Sequence, residues 1–391
     1  MLSGAAVAVG QGFSRFSLGL LMPPMTRDIL HSYTKAGWLG TTNLAAYLIG
    51  MLVVSFLSTR MRQDRLVQIS LLGTVASFFI LFAAPDYTIL ILGMALNGFC
   101  SAGLWVPLAG VVSAAVKPER RGLALGLVVA GFGLGVVIAS QLVGVVRSAG
   151  GADAWRPVWL IEGVIGVVVL IGFAVAFRPL LSQPEGPQTH GTAAFLAMPR
   201  GWAITISYAA FGFGLALFSN FLVTALEEDS GFSPNHASRV FSLLGFASVF
   251  GGVLLGRWSD RTGRRLMLML GTSTAAACTL AVLAGIEPLV SLAAVAFGFC
   301  MSGTGALVSA VVSDGVDPNE VGAVFGVITV MFGIAQAVGP YAGGWIAEST
   351  GSFSAVFVVS GAAFILSLIA SSFVPPRRTD PQRAPLPPGP I

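Results

Sequence analysis

Twelve times along this chain a run of about twenty predominantly apolar residues recurs, each long enough to cross a hydrocarbon layer roughly 30 Å thick. The runs fall near 2–25, 36–57, 66–84, 88–115, 123–146, 156–178, 201–225, 236–256, 266–285, 288–314, 322–347 and 354–374. They are continuous and show no period-two alternation, so helices, not a closed barrel, must satisfy the backbone in lipid. The fold class expected is therefore all-α and integral to the membrane. Composition supports it: 55% of the 391 residues are hydrophobic and 10% are charged, too little polar surface for a soluble chain of this length.

A second pattern divides the chain into two related halves. Gly98, Phe99 and Cys100 return two hundred residues later as Gly298, Phe299 and Cys300. Pro118, Gly122, Gly126, Phe132, Gly133 and Gly144 return as Pro318, Gly322, Gly326, Phe332, Gly333 and Gly344. Parallel repeats of this kind pack as two bundles around a cavity and rock against each other, which points to transport. The organisation expected is an N-terminal six-helix bundle over 1–178, a cytoplasmic linker over 179–200, and a C-terminal six-helix bundle over 201–374. Pro179, Pro184, Gly186 and Pro187 mark the linker as flexible, and the proline-rich tail over 375–391 is expected to be disordered.

Lys and Arg set the orientation. Fifteen of them, from Arg60 to Arg383, fall on one side of the expected topology, against Arg27, Lys35, Arg147, Arg156 and Arg239 on the other. The positive-inside rule then places both termini in the cytoplasm. The net charge of +4 is a consequence of that topology, and its scatter over short loops without interleaved aromatics argues against a nucleic-acid partner. The first run begins almost at Met1 without a charged leader or a small-residue cleavage site, and reads as a retained helix. Short loops and this leaderless start suit a bacterial inner membrane, and a monomer is expected.

Nothing in the sequence supports a chemical step. Cys100, Cys278 and Cys300 lie in apolar runs without metal-ligand spacing and read as packing residues. His31, His190 and His236 fall in loops, away from any nucleophile or second ligand. No phosphate-binding loop precedes a helix in a βαβ setting, so neither a catalytic residue, a cofactor, a metal nor direct ATP drive is expected.

Between the eighth and ninth runs stands GRWSDRTGRR, in which Gly256, Asp260, Arg261, Gly263, Arg264 and Arg265 follow the order Gly, spacer, Asp-Arg, spacer, Gly-Arg-Arg. This segment resembles the signature loop of the major facilitator superfamily, and the resemblance covers about residues 2–374. It implies twelve transmembrane helices in two pseudo-symmetric bundles that transport a small solute by alternating access. In physical terms Gly256 permits close helix approach, Gly263 permits a tight turn, and Asp260 can meet a helix N-terminus or an arginine. The next cytoplasmic connection carries Asp314, Asp317 and Glu320, so the two loops can pair in one conformation and part in the other as a latch. The plainer reading is a positive-inside loop that only fixes topology. The N-terminal copy, FLSTRMRQDR, has Arg60 and Asp64 where the pattern has Asp and Arg, which argues against two symmetric latches. GIAQAVGPYAGG from Gly333 to Gly344 resembles the glycine-proline motif that superfamily antiporters carry in the fifth helix, where this chain has Ala139 and Ser140 instead. It reads as close packing with a kink.

The resemblance also implies a cavity lined chiefly by the first, fourth, seventh and tenth helices. Arg15 lies near the middle of the first, with Gln11 one turn earlier, and an arginine at that depth needs a partner or water. One reading is that Arg15 binds an anionic group, a carboxylate above all; the other is a structural arginine paired with carbonyls or a buried acid. Glu162, about 9 Å inside the sixth run at 1.5 Å per residue, is the acid in question, either as a proton-coupling group or in an ion pair with Arg15 or Arg156. Asn97, Trp105, Tyr208, Phe211 and Asn220 are further substrate-site candidates, with Asn43, Tyr47, Gln141 and Gln336 near the gates. Amides also hold transmembrane helices together without touching a ligand.

The function expected is secondary active transport of a small organic anion, driven by a proton gradient or by exchange. The alternative is a proton-coupled exporter of drug-like or amphipathic compounds. A receptor or scaffold would call for an appended domain, and a passive channel for a filter or a charged ring.

Overall fold

Each of the twelve apolar runs in the sequence contains a helix long enough to cross a membrane. The structure is a computed structural model that describes residues 1–375 apart from 106, 109–110, 113–115, 117–120, 152–153, 177–194 and 318, with the backbone alone described at 121–123 and 176. Most of the linker and nearly all of the tail, with Lys117, Pro118, His190 and Pro318, lie outside the described residues. Among the described residues are twelve membrane-length helices: α1 (Leu2–Leu30), α2 (Tyr33–Ser58), α3 (Gln63–Ala83), α4 (Tyr87–Leu104), α5 (Arg121–Gly150) and α6 (Arg156–Ala176). Then come α7 (Gly201–Glu228), α8 (Pro234–Thr262), α9 (Arg264–Ala284), α10 (Glu287–Gly315), α11 (Val321–Thr350) and α12 (Ser354–Ser372).

Local chemistry sets the ends. The side-chain oxygens of Ser32, Asp86 and Ser233 accept the N–H of Lys35, Ile89 and His236 at 3.2, 3.0 and 3.3 Å, capping α2, α4 and α8. His236, expected in a loop, thus belongs to the first turn of α8. Two longer differences from the sequence reading have backbone causes. The fourth run is not one continuous helix: the α-helix ends at Ser101, tightens over Ala102–Leu104, and Trp105 sits in a turn before the described residues 107–108 and 111–112, which are helical again. Pro107 has no N–H to give the Gly103 carbonyl and disfavours helical geometry at the residue before it. The signature segment is not mainly a loop. Helix α8 runs on through Thr262, and Gly263 alone, at φ +96°, makes the turn into α9.

The first helix of each half is the axis of its bundle. In α1 and α7, 89% of the apolar window is buried, against 33% in α2 and 28% in α11, whose outer faces show Ile49, Leu52, Phe56, Ile334, Val338 and Trp345. A helix apolar on every side belongs at the centre, and one with an exposed apolar stripe faces lipid.

The repeated glycines do matching work in the two halves. A Cβ on Gly98 of α4 would strike the Asn43 carbonyl of α2, and one on Gly298 of α10 would strike the Leu244 carbonyl of α8. Gly133 of α5 lies against Gly245 and Ser248 of α8, while Gly333 of α11 lies against Leu48 of α2. Gly344 of α11 is pressed on the Tyr33 carbonyl of α2. These last contacts join one half to the other, where small residues let backbones approach in the absence of a hydrophobic driving force. At Gly126, Gly256, Gly322 and Gly326, by contrast, a Cβ would meet no described atom of another element within 4 Å. Those four sit toward the end of the bundle that carries the chain termini. Among the described residues, the contacts that these glycines make between the halves run from mid-membrane to the far end, and none is at the termini end.

Candidate functional site

Helix α1 is irregular where the site forms. Ala8–Phe13 is wound as a π-helix, a form with wider turns that favours functional positions, and Arg15 lies two residues beyond it. The guanidinium donates to Gln336 Oε1 of α11 at 2.5 Å and lies over the Tyr47 ring of α2, 4.8 Å from its centroid. The Tyr208 ring of α7 stacks on Phe332 of α11 at 4.2 Å and lies within electrostatic reach of Arg15. Gln11 donates to the Ser101 carbonyl at 3.0 Å, and its side chain meets the Tyr47 hydroxyl. Gln11, Arg15, Tyr47, Tyr208 and Gln336 thus form one polar cluster between the halves, built from α1, α2, α7 and α11.

What the cluster lacks, among the described residues, is negative charge. A guanidinium has five N–H donors, and among those residues Arg15 makes one hydrogen bond and no ion pair. Glu162, the acid considered for it, is elsewhere. Its Oε1 accepts from Ser17 Oγ at 2.5 Å, and Ser17 lies two residues beyond Arg15, about 200° around the helix. The carboxyl is wholly buried inside the N-terminal half, its Oε2 without a partner among the described residues, as is Trp159 Nε1 one turn earlier. The alternative of an ion pair with Arg15 or Arg156 is corrected: Arg156 donates to the Phe82 and Ala84 carbonyls at 3.0 and 2.7 Å and covers Trp155.

Other candidates fall outside the cluster. Asn43 donates to Asn97 Oδ1 at 2.9 Å and Asn97 to Ser77 Oγ at 2.8 Å, so these amides tie α2, α3 and α4 together inside one half. Phe211 is 1% exposed and packs on Phe364 of α12, away from Arg15. Asn220 donates to its own Ala216 carbonyl at 2.8 Å, with its backbone against Gly19 of α1. Trp105 is exposed beyond the break in α4. Gln141 of α5 bridges the halves by donating to Ser242 of α8 at 2.9 Å. The resemblance implied a cavity lined chiefly by the first, fourth, seventh and tenth helices; the described partners of Arg15 come from α2 and α11.

The signature segment forms its cluster at the termini end. Arg264 pairs with Asp260 at 2.7 Å and with Asp314 of α10 at 3.3 Å, and also donates to Ser259. Asp317 caps the following turn through Asn319 N–H at 3.0 Å. Arg261 and Arg265 make no ion pair among the described residues, and a Cβ on Gly256 would meet no described atom within 4 Å, so the close helix approach expected there is not seen in this conformation, although the Gly256 carbonyl accepts from Arg264 at 3.4 Å. All these contacts stay within the C-terminal half.

Sequence reasoning missed the charges that hold the far end shut. Arg147 of α5 and Glu227 of α7, with side chains 0% and 3% exposed, share a two-pronged bond of 2.6 and 2.9 Å. Arg27 of α1 reaches Glu228 at 2.8 Å and Glu227 at 3.7 Å. Glu348 of α11 accepts from Ser32 Oγ and Thr34 N–H at 2.7 and 2.9 Å. Arg27 and Arg147 read as topology charges in the sequence; the available signal was Glu227-Glu228 closing an apolar run that has no basic residue of its own. Beside this end a cavity of about 820 Å³ opens between α5 and α8, lined by Gln141, His236, Arg239, Phe246 and Glu287, apart from the Arg15 cluster.

Comparison with known proteins agrees with this geometry. A family model described as "Uncharacterised MFS-type transporter YbfB" matches residues 7–372. Monocarboxylate transporter 12-B of Danio rerio is 27% identical over 381 residues, covering 86% of this chain and 78% of that protein. The hexuronate transporter of Bacillus subtilis (strain 168) is 25% identical over 391 residues, covering 93% and 91%. A bacterial homologue of the human lysosomal transporter Spinster, solved in an inward-facing and occupied conformation, superposes with a TM-score of 0.78 at 16% identity over 95% of each chain, a likeness of fold. With twelve helices in two related bundles and no enzyme among these matches, the chain belongs to the MFS-type transporters of the major facilitator superfamily.

Proposed function

We propose that this protein is a secondary transporter of small organic anions, carboxylates in particular, working by alternating access. One observation carries the reading: a guanidinium between the two halves has, among the described residues, a single neutral acceptor and no carboxylate. A planar, five-donor cation so placed suits a carboxylate, which accepts two parallel hydrogen bonds and supplies the missing charge. Tyr47 and Tyr208 add hydroxyls and aromatic faces for the organic body. The names of the two relatives, a monocarboxylate and a hexuronate transporter, support the same substrate class.

The rest of the scheme follows from the ends. With both termini in the cytoplasm of a bacterial inner membrane, the closed far end faces outside and this conformation opens inward. The Arg147–Glu227 pair is then the outer gate between bundles 1–178 and 201–374. The Arg264–Asp314 contact is the latch that steadies the inner end of the C-terminal half while it stands open. Glu162 is the proton-coupling candidate, reached through movement of α1, which carries Ser17, against α6.

Uptake into proteoliposomes tests the reading, with lactate and glucuronate as probes. Arg15→Ala should abolish saturable uptake, and Arg15→Lys, which keeps charge but loses the fork, should weaken it by about tenfold or more. Undiminished uptake by Arg15→Ala would remove the anion site. The lateral cavity between α5 and α8, with Leu243 and Phe246 on its wall, favours the second reading of an exporter of amphipathic compounds; drug efflux without carboxylate flux would establish it.

A further inference from the structure

Gln336 is placed where a substrate's carboxylate would go. Its Oε1 is the only hydrogen-bond acceptor that Arg15 meets among the described residues, at 2.5 Å. It comes from the opposite half, so the bond is a strut between α1 and α11. The geometry points to Gln336 as a built-in stand-in for the substrate: its amide oxygen holds Arg15 until a carboxylate displaces it, and displacement releases the contact between the halves. The inference rests on the reading of Arg15 as the anion site.

Two features of α11 make the release consequential. Pro340, four residues on, has no N–H for the Gln336 carbonyl, so the helix lacks a rung there. At the next rung Thr41 of α2 inserts its hydroxyl, accepting from Tyr341 N–H at 3.1 Å and donating to the Ala337 carbonyl at 2.7 Å. In a regular helix those two groups bond each other. Gln336 is thus the side chain at the weakened turn of α11, and the far-end closure of α2 on α11 begins one rung away. An amide is a poor competitor for a carboxylate: both present an oxygen to the guanidinium, and only the carboxylate carries charge. Release of the strut therefore follows binding of an anion and not of a neutral solute of like shape.

The site predicts opposite effects for two substitutions at one position. Gln336→Glu supplies a permanent carboxylate to Arg15 and should weaken binding of lactate and glucuronate by about tenfold or more. Gln336→Ala removes the competitor and should tighten binding by about tenfold, the scale of one hydrogen bond to a charged group. At saturating substrate the same variant should transport more slowly, because occupancy no longer breaks a strut. Gln336→Asn, one methylene shorter, should follow Gln336→Ala and guards against a packing artefact.

The measurement is calorimetric titration of each purified, reconstituted variant, with thermal unfolding to show that it is folded, followed by proteoliposome uptake. Weaker binding in Gln336→Ala would make the amide a substrate ligand and overturn the inference. Unchanged binding in Gln336→Glu would overturn it as well, since the side chain would not compete. In both cases the parent protein still binds carboxylates and the anion site stands. If the parent protein binds neither probe, the anion reading itself fails and this inference falls with it.

Discussion

Single side chains decide how this bundle holds polar groups in lipid. Arg15 and Ser17 are two residues apart on α1 and look in opposite directions, one between the halves and one toward Glu162. A carboxyl with one oxygen bonded and one without a partner among the described residues can change its charge only when α1 shifts or water enters. Glu162→Gln should therefore leave carboxylate exchange intact and abolish accumulation driven by a pH gradient; accumulation that persists in the variant would exclude Glu162 from coupling. Glycine is equally specific. A Cβ at Gly98 would meet the Asn43 carbonyl, a backbone atom that has no rotamer to escape into. Gly98→Ala should cost about 1–3 kcal/mol of stability, read as a lowered thermal midpoint of the purified protein.

At the scale of elements, helix irregularities coincide with the contacts that must break and reform. Helix α1 carries a π-helical stretch before Arg15 and a second, Thr26–Leu30, after Pro23 and Pro24. Helix α11 carries Pro340 and the inserted hydroxyl of Thr41. Thr41→Val keeps the shape of the side chain and removes the hydroxyl, so the Ala337 carbonyl and Tyr341 N–H can bond each other and α11 can straighten. The far end should then open more readily, by about 1 kcal/mol for one hydrogen bond. Distances between spin labels on α2 and α11 would lengthen in Thr41→Val and stay unchanged in Thr41→Ser.

For the whole molecule, the alternating access proposed above makes opening at one end and closure at the other a balance of contacts between halves. The buried Arg147–Glu227 pair weighs heavily in it. Two charges in low dielectric hold together only with good geometry, and removing one leaves the other uncompensated at a cost of about 3–5 kcal/mol. Glu227→Ala should shift the population toward the state open at the far end. A cysteine at Asn220, buried under that end, would then react with a membrane-impermeant thiol reagent added on the far-end side of the membrane, whereas in the parent background it should stay protected. Gly126 and Gly326 occupy matching places in the repeat, and a Cβ on either would meet no described atom within 4 Å.

The sequence determined the solvent, the helices and the twofold plan, because hydrophobic length and repeated glycines are local properties of the chain. It also singled out Arg15, since an arginine in the middle of an apolar run is conspicuous wherever it points. It did not show that α4 breaks before Trp105 or that the signature segment is mostly helix, although Pro107 and Gly263 carry those instructions. The partners of Arg15, the isolation of Glu162 behind Ser17, and the bond between Arg147 and Glu227 were decided by tertiary structure alone. Each joins residues 80 to 321 positions apart. Which of several polar groups on an apolar helix meet is set by how the helices rotate against one another, and that rotation is fixed by packing over the entire bundle.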